Sequence, residues 1–285
     1  MGEKEIERGI VKMGEPKDIF MLCESIKTEG ELFNLDTGKY KANYKFDGER
    51  VIAVKKGEDI VLFNRLGNII TYKFSEVVND LRHIPKDFMI DGEIISMDND
   101  FNKLQRRALT KQLDKIKQLE KEIPVKYMIF DIISIGDNIL MRKPLRERLT
   151  YLNELLDELI SDSNHLELVE YGEIKDLLNR AIENDGEGIV VKNMEGEYES
   201  RRSRNWFKYK LFKETTITIT SYTENNAGIR VTDEKGFIAC QIAGFQSREV
   251  KELIDKRGYC NINIQYLSKS NEGKYRFPSY RGIAQ

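Results

Sequence analysis

The sequence predicts an α+β protein in two parts, a larger mixed domain over residues 1–213 and a small closed β-barrel over residues 214–285. Three observations predict it. Short apolar strands and helical stretches mix up to about residue 213 without the regular strand-helix-strand rhythm of a doubly wound sheet. Beyond that point short strands dominate around one helical stretch, the pattern of an OB-fold. The junction at Lys213 to Thr215 contains neither Pro nor Gly, so a short hinge rather than a long linker joins the parts.

In chain order, Arg50 to Lys55, Asp59 to Asn64, Phe88 to Ser96, Val125 to Ile133, Leu166 to Tyr171 and Gly188 to Lys192 read as strands. Each is rich in Val, Ile, Phe or Tyr and bounded by Gly, Asp or Asn. Helices are expected over Lys73 to Arg82, Asn102 to Lys121, Leu145 to Leu159 and Ile174 to Asn184, where apolar residues recur at spacings of three and four. In the second part, alternating Thr and Ile from Thr216, then Gly228 to Thr232, Gly236 to Ile242 and Tyr259 to Tyr266, supply strands, and Ser247 to Lys256 a helix.

With 285 residues and 40% apolar content the chain has room for one large or two ordinary cores. It has no 18-residue apolar run and a charged N-terminus, Met1 to Arg8, so a soluble, intracellular, cytoplasmic protein is expected, without a membrane and as a monomer. Cys23, Cys240 and Cys260 are too few and scattered for a disulfide framework or a four-cysteine zinc site, and His83 and His165 are isolated. The chemistry therefore falls to Lys, Arg, Asp and Glu. A net charge of −2 does not announce a nucleic-acid binder, but two stretches are locally basic. Residues 201–213 interleave six cations with aromatics, and residues 103–121 carry seven on a predicted helix; both patterns suit phosphate contact and stacking, or a solvated face.

Lys45-Phe46-Asp47-Gly48-Glu49-Arg50 sets a lysine just before an Asp-Gly turn. Alone it reads more readily as a hairpin turn with a solvated edge. Four further segments follow in order: Asp91-Gly92-Glu93, Phe130-Asp131, Glu187 to Lys192 and Trp206-Phe207-Lys208-Tyr209-Lys210. A lysine nucleophile must shed its proton, which neighbouring cations or burial promote. Transfer at a phosphate also asks for charge shielding and an oriented leaving group.

Together these segments resemble the motif series of the covalent nucleotidyltransferases, and most closely the ATP-dependent DNA ligases, from about residue 20 to 285. The resemblance implies an adenylation domain of antiparallel sheets and helices followed by the OB-fold. It implies Lys45 as the AMP-carrying nucleophile. Lys192, Lys208 and Lys210 would place cations beside Lys45 and on the phosphates. Glu93 and Glu187 would hold Mg²⁺, for which Mn²⁺ can substitute, and Glu93 can instead take a ribose hydroxyl. Phe130 would stack on adenine, while Arg50 and Arg65 would hold phosphate or sugar. Arg276, in Arg276-Phe277-Pro278, would orient the pyrophosphate. The substrates implied are ATP and nicked duplex DNA.

Two positions depart from the family pattern. An arginine is expected eight positions after Arg276, where this chain has Ala284, next to the final Gln285; Arg281 is a nearby substitute. A glutamate that reads the adenine amino group is replaced by Asn43, whose amide oxygen can accept the same hydrogen bond. Only about 44 residues precede Lys45, so a minimal form lacking the large helical DNA-binding domain is expected. RNA ligases and RNA capping guanylyltransferases share the lysine motif and are the alternative enzymes. A non-catalytic OB-fold nucleic-acid-binding protein is the alternative of a different class.

Overall fold

The computed structural model describes residues 16–160, 163–270 and 272–284; the charged segment from Met1 to Arg8 and the terminal Gln285 lie outside them. Two compact units emerge, one reaching Tyr209 and the other starting at Lys210. Among the described residues no helix is long and apolar enough to cross a membrane.

The first unit stacks two sheets. The larger runs in the order β4-β3-β5-β6-β7, built from β3 (Glu49–Lys56), β4 (Asp59–Asn64), β5 (Phe88–Ser96), β6 (Val125–Ile135) and β7 (Asn138–Ile139); β8 (Leu166–Leu168) adds to β6 in parallel. The smaller runs β1-β10-β9-β2, from β1 (Leu22–Ile26), β2 (Tyr40–Tyr44), β9 (Gly188–Asn193) and β10 (Arg202–Lys210). The predicted antiparallel character holds for the ladders along β4 to β7 and for β2 with β9, whereas β1 pairs with β10 in parallel.

β3 is buried on both faces, which explains its near-continuous apolar run. Val51 and Ala53 face one core with Leu62, Phe74, Tyr127 and Leu152. That core is roofed by helices, among them α2 (Ser75–Arg82), α3 (Phe101–Leu109) and α5 (Leu145–Ile160). Ile52 and Val54 face the other core with Met21, Phe63, Phe130 and Trp206. Arg148 of α5 is locked to Asp131 of β6 by two hydrogen bonds of 2.8 Å, both side chains fully buried. The Asp of the Phe130-Asp131 motif thus holds a helix to its sheet.

The helix expected over Asn102 to Lys121 is two helices, α3 and α4 (Leu113–Glu122). Thr110 leaves the helical region at ψ 133°, and Arg107 explains the reversal. Its fully buried guanidinium binds Glu76 at 2.5 and 2.7 Å and caps the carbonyls of Lys73 and Ile123, each at 2.7 Å. Satisfying so many acceptors around one charge brings the chain back on itself. The basic run is therefore not a single solvated face.

The second unit has the OB connectivity. β11 (Lys213–Asn225) pairs with both β12 (Gly228–Asp233) and β14 (Cys260–Tyr266), giving the order β13-β12-β11-β14-β17 with β13 (Ile238–Ile242) and β17 (Ser279–Ile283). α7 (Phe245–Arg257) lies between β13 and β14 in sequence and ends at Gly258, which takes the left-handed conformation at φ 78°. Ile217 and Ile219 point into the core with Val231, Val250 and Ile262, while Thr216 and Thr218 point outward and donate to Asn263 and Asn261. That alternation is what the Thr-Ile repeat predicts.

Gly92 lets β5 pack closely against β6. A Cβ there would meet the Met128 carbonyl oxygen and the Tyr127 ring, each at 2.5 Å. Gly92→Ala is expected to cost about 2–3 kcal/mol, read as a lowered denaturant midpoint with unchanged m-value.

Candidate active site

Lys45 leaves the end of β2, and its backbone N–H donates to the Gly188 carbonyl at 2.9 Å. Gly188 sits at φ 140°, which glycine tolerates and other residues rarely adopt. This link sets the Glu187-Gly188 turn against the nucleophile motif. Lys45 Nζ then donates to Glu187 Oε2 at 2.6 Å, with Lys45 21% and Glu187 6% exposed. The group found against Lys45 is thus a carboxylate, where the sequence pointed to cations.

Glu93 lies opposite Arg50 across the β3-β5 ladder. Burial pushes its carboxyl up to about 7; Lys45 and Arg50 pull the other way, and the Glu187 and Asp91 charges add to the rise. Gly48 packs so closely on β5 that a side chain would strike the Ile94 carbonyl and Glu93. The two Asp-Gly pairs of the motifs are therefore both places where strands approach closely. Among the described residues, no three or more His, Cys, Asp or Glu side chains gather as a cation site. A cation held by Glu93 and Glu187 would complete its shell with water and substrate oxygens, as Mg²⁺ does at phosphate-transfer sites.

Arg50 is not an open phosphate ligand. Its Nε and Nη2 bind Asp91 at 2.7 and 2.6 Å, Nη2 also reaches the Met21 carbonyl at 3.3 Å, and the Tyr198 hydroxyl donates to the same Asp91 carboxylate at 2.7 Å. Burial opposes its charge, but Asp91 holds the guanidinium pKa well above its usual range. Sequence reading missed Asp91 and Tyr198 as its partners. The signal for Asp91 was its place beside Glu93 in a strand otherwise buried along its length.

Phe130 is only 6% exposed, with the Arg50 guanidinium 4.8 Å and the Lys192 ammonium 4.1 Å from its ring centre. Lys192 is 1% exposed, lies 4.1 Å from the Trp206 ring centre as well, and donates to the Tyr171 hydroxyl at 2.8 Å. Tyr171 in turn donates to the Phe130 carbonyl at 2.7 Å. Burial pulls the Lys192 pKa down to about 7, against the Asp131 and Asp91 charges that raise it; Arg50 adds to the fall. Trp206, read as part of a basic stacking stretch, is a core residue at 1% exposure: it shares the parity of the exposed Arg202 and Arg204, but the β1-β10 register slips between Ser203 and Phe207, and that irregularity turns it inward.

Lys208 lies opposite Ser25 on the β1-β10 ladder. Arg65 is exposed on a turn whose backbone is held by Asn64, which accepts from the N–H groups of Leu66 and Asn68 at 3.1 and 3.0 Å. Asn43 is 2% exposed; its Nδ2 donates to the Tyr44 carbonyl, and its Oδ1 has no partner. In the second unit, Lys210 Nζ and the Arg276 guanidinium lie 4.6 and 5.9 Å from the Phe277 ring centre, and Arg276 reaches the Ser268 hydroxyl at 3.3 Å.

A family model described as an ATP dependent DNA ligase domain matches residues 20–210. The SPbeta prophage-derived DNA ligase-like protein LigB of Bacillus subtilis is 32% identical over 279 residues, 91% of this chain and 96% of that protein. DNA ligase 1 of Methanosarcina barkeri is 32% identical over 229 residues, 73% of this chain and 41% of that protein. The chain spans about two fifths of the length of such archaeal relatives. Among solved structures, a Lig E DNA ligase described as binding DNA with a minimal scaffold superposes with a TM-score of 0.66 at 18% identity, covering 93% of this chain and 100% of that one. The bacteriophage T7 ATP-dependent DNA ligase in complex with ATP gives 0.52 at 20% identity, covering 94% and 99%.

The lowered Lys192 pKa carries a stability consequence. Between its folded value of about 7 and its ordinary 10.5 the unfolded chain holds the extra proton, so stability rises with pH across that window and the burial penalty is complete below pH 7. Lys192→Met is expected to stabilise the protein at pH 6 by about 1–3 kcal/mol. The gain shrinks towards pH 10, which thermal melts across pH will read.

Proposed function

Because the chain belongs to the family of ATP-dependent DNA ligase domains, we propose that it seals nicks in duplex DNA as a single cytoplasmic chain, with Lys45 carrying AMP between ATP and the 5′-phosphate. The observation that carries this reading is the Lys45 ammonium held 2.6 Å from Glu187 beside the half-buried Glu93. The Lys45 ammonium first passes one proton to Glu187; the freed amine attacks the α-phosphorus, a nitrogen-phosphorus bond forms, the bond to the pyrophosphate oxygen breaks, and the second proton shed by the nitrogen leaves with the pyrophosphate. AMP then moves to the 5′-phosphate of the nick, and the 3′-hydroxyl displaces it as the strand closes.

Glu93 and Glu187 are the residues suited to Mg²⁺, which when bound supplies charge neutralisation at the phosphates. The raised Glu93 pKa fits that role, since a cation favours the ionised carboxylate that burial disfavours. The free Oδ1 of Asn43 supports ATP as the donor, as it can accept from the adenine amino group. Lys192 is placed to gain full charge when a triphosphate arrives, and Arg65, Lys208, Lys210 and Arg276 remain candidates for phosphate contact. Phe130 reaches adenine only if the cations on its ring give way. Neither the family model nor the relatives favour the RNA-ligase or capping alternatives.

Two outcomes test the reading. Incubation with α-labelled ATP and Mg²⁺ should leave acid-stable label on the protein, reduced by at least about 10³-fold in Lys45→Ala, a loss of some 4 kcal/mol in barrier terms; unlabelled wild type with Mg²⁺ and with Mn²⁺ would refute it. The Mg²⁺ concentration for half-maximal labelling should fall as pH rises from 6 to 8, because Glu93 ionises through about 7. Glu93→Gln should flatten that pH response and slow labelling about 10²-fold, roughly 3 kcal/mol.

A further inference from the structure

Leu66 and Leu109 are 76% and 70% exposed, yet neither sits on loose chain. Besides the two bonds that the Asn64 side chain accepts from Leu66 and Asn68, the Asn64 carbonyl accepts from Gly67 at 2.8 Å and the Asn64 N–H donates to the Asn68 carbonyl at 3.0 Å. Leu66 therefore projects from a turn closed on itself. Leu109 ends α3, where the Ala108 carbonyl accepts from the Lys73 ammonium and the buried Arg107 guanidinium ties the preceding turn to Lys73 and Glu76. Pinned backbone thus presents both side chains to water, where an apolar group gains nothing.

The two leucines line one cavity of about 520 Å³, which also touches Gly48, Arg50 and Glu93 and so opens beside the nucleophile motif. Arg65, beside Leu66 in sequence, and Lys111, just past Leu109, line it too, and neither enters an ion pair among the described residues. The nearby Lys103, Arg106 and Arg107 all do. Exposed apolar groups set between uncommitted cations fit a surface that itself alternates carbon and phosphate. A duplex offers one along its minor groove, where deoxyribose carbons lie between two rows of phosphates. An apolar protein partner would instead leave Arg65 and Lys111 desolvated and unpaired.

We propose that Leu66 and Leu109 rest on deoxyribose faces in the minor groove of the duplex beside the nick, with Arg65 and Lys111 on the flanking phosphates. The inference rests on the ligase reading and names a surface that grips DNA within it. Pinning the leucines beforehand spares the complex the cost of ordering them.

Nicked duplex with a 3′-hydroxyl and a 5′-phosphate, titrated in EDTA at several salt concentrations and followed by fluorescence anisotropy, tests it. Leu66→Ser and Leu109→Ser should each weaken binding about tenfold, the worth of most of a buried leucine. The slope of affinity against salt should stay as in wild type, because no phosphate contact is lost. The double variant Arg65→Gln, Lys111→Gln should instead lower that slope by about 1.8, roughly 0.9 for each phosphate contact removed. Labelling of Lys45 by α-labelled ATP with Mg²⁺ should keep its wild-type rate in both leucine variants. Leucine variants that bind the duplex like wild type overturn the proposal, since the pair then serves another partner or none. Loss of labelling alongside affinity overturns it too, because the leucines then shape the nucleotide site, as does an unchanged salt slope in the Arg65 and Lys111 double variant. Wild type that binds no nicked duplex strikes the ligase reading itself, a result distinct from variants that bind like wild type.

Discussion

The bidentate pair between Arg50 and Asp91 is the constraint on which the site depends. It joins β3 to β5, draws in the Tyr198 hydroxyl and the Met21 carbonyl, and sets a guanidinium over Phe130. Removing either partner alone strands a buried charge and costs about 3–5 kcal/mol. Arg50 fixes one end of the hexapeptide and the Lys45–Gly188 hydrogen bond fixes the other, so the intervening Asp47-Gly48 turn is spanned between two anchors. A reactive amine held this way loses little further freedom when substrate arrives.

Around that frame each charge has its own housing. Lys45 faces Glu187, Arg50 faces Asp91, Arg148 faces Asp131, and Lys192 lies among aromatic rings with a tyrosine hydroxyl. Opposite charges balance in three of the four cases. Lys192 is different, because ring faces and one hydroxyl compensate a buried ammonium poorly, and its lowered pKa expresses that deficit. The place least comfortable without substrate is thus the place where an anion would be most welcome.

Much of this was legible in the sequence, and what was not has physical causes. β3, β5 and β6 were readable because β-branched runs bounded by Gly or Asp dominate them. The motif residues Lys45, Glu93 and Glu187 could be singled out by type and order, and the structure brings Lys45 to Glu187. What linear order hides is the partner reached through tertiary contact. Asp91 stands 41 residues from Arg50, and Tyr198 stands 107 from Asp91. β1 escaped notice because Leu22-Cys23-Glu24-Ser25-Ile26 has little apolar alternation and its parallel pairing with β10 joins distant segments. The two-helix break at Thr110 was hidden because Arg107 reads as surface by composition, although it is fully buried.

That burial alters how the basic run would behave on a polyanion. Of the cations between Lys103 and Lys121, Lys103 pairs with Asp98, Arg106 with Glu122 and Arg107 with Glu76. Ions condensed along a duplex are released only by cations free to neutralise phosphates, and each released ion steepens the dependence of affinity on salt. Side chains already committed to carboxylates release none unless those pairs first break. With three of its seven cations committed in this way, a run that looks strongly cationic by count would respond to ionic strength as a weaker polycation.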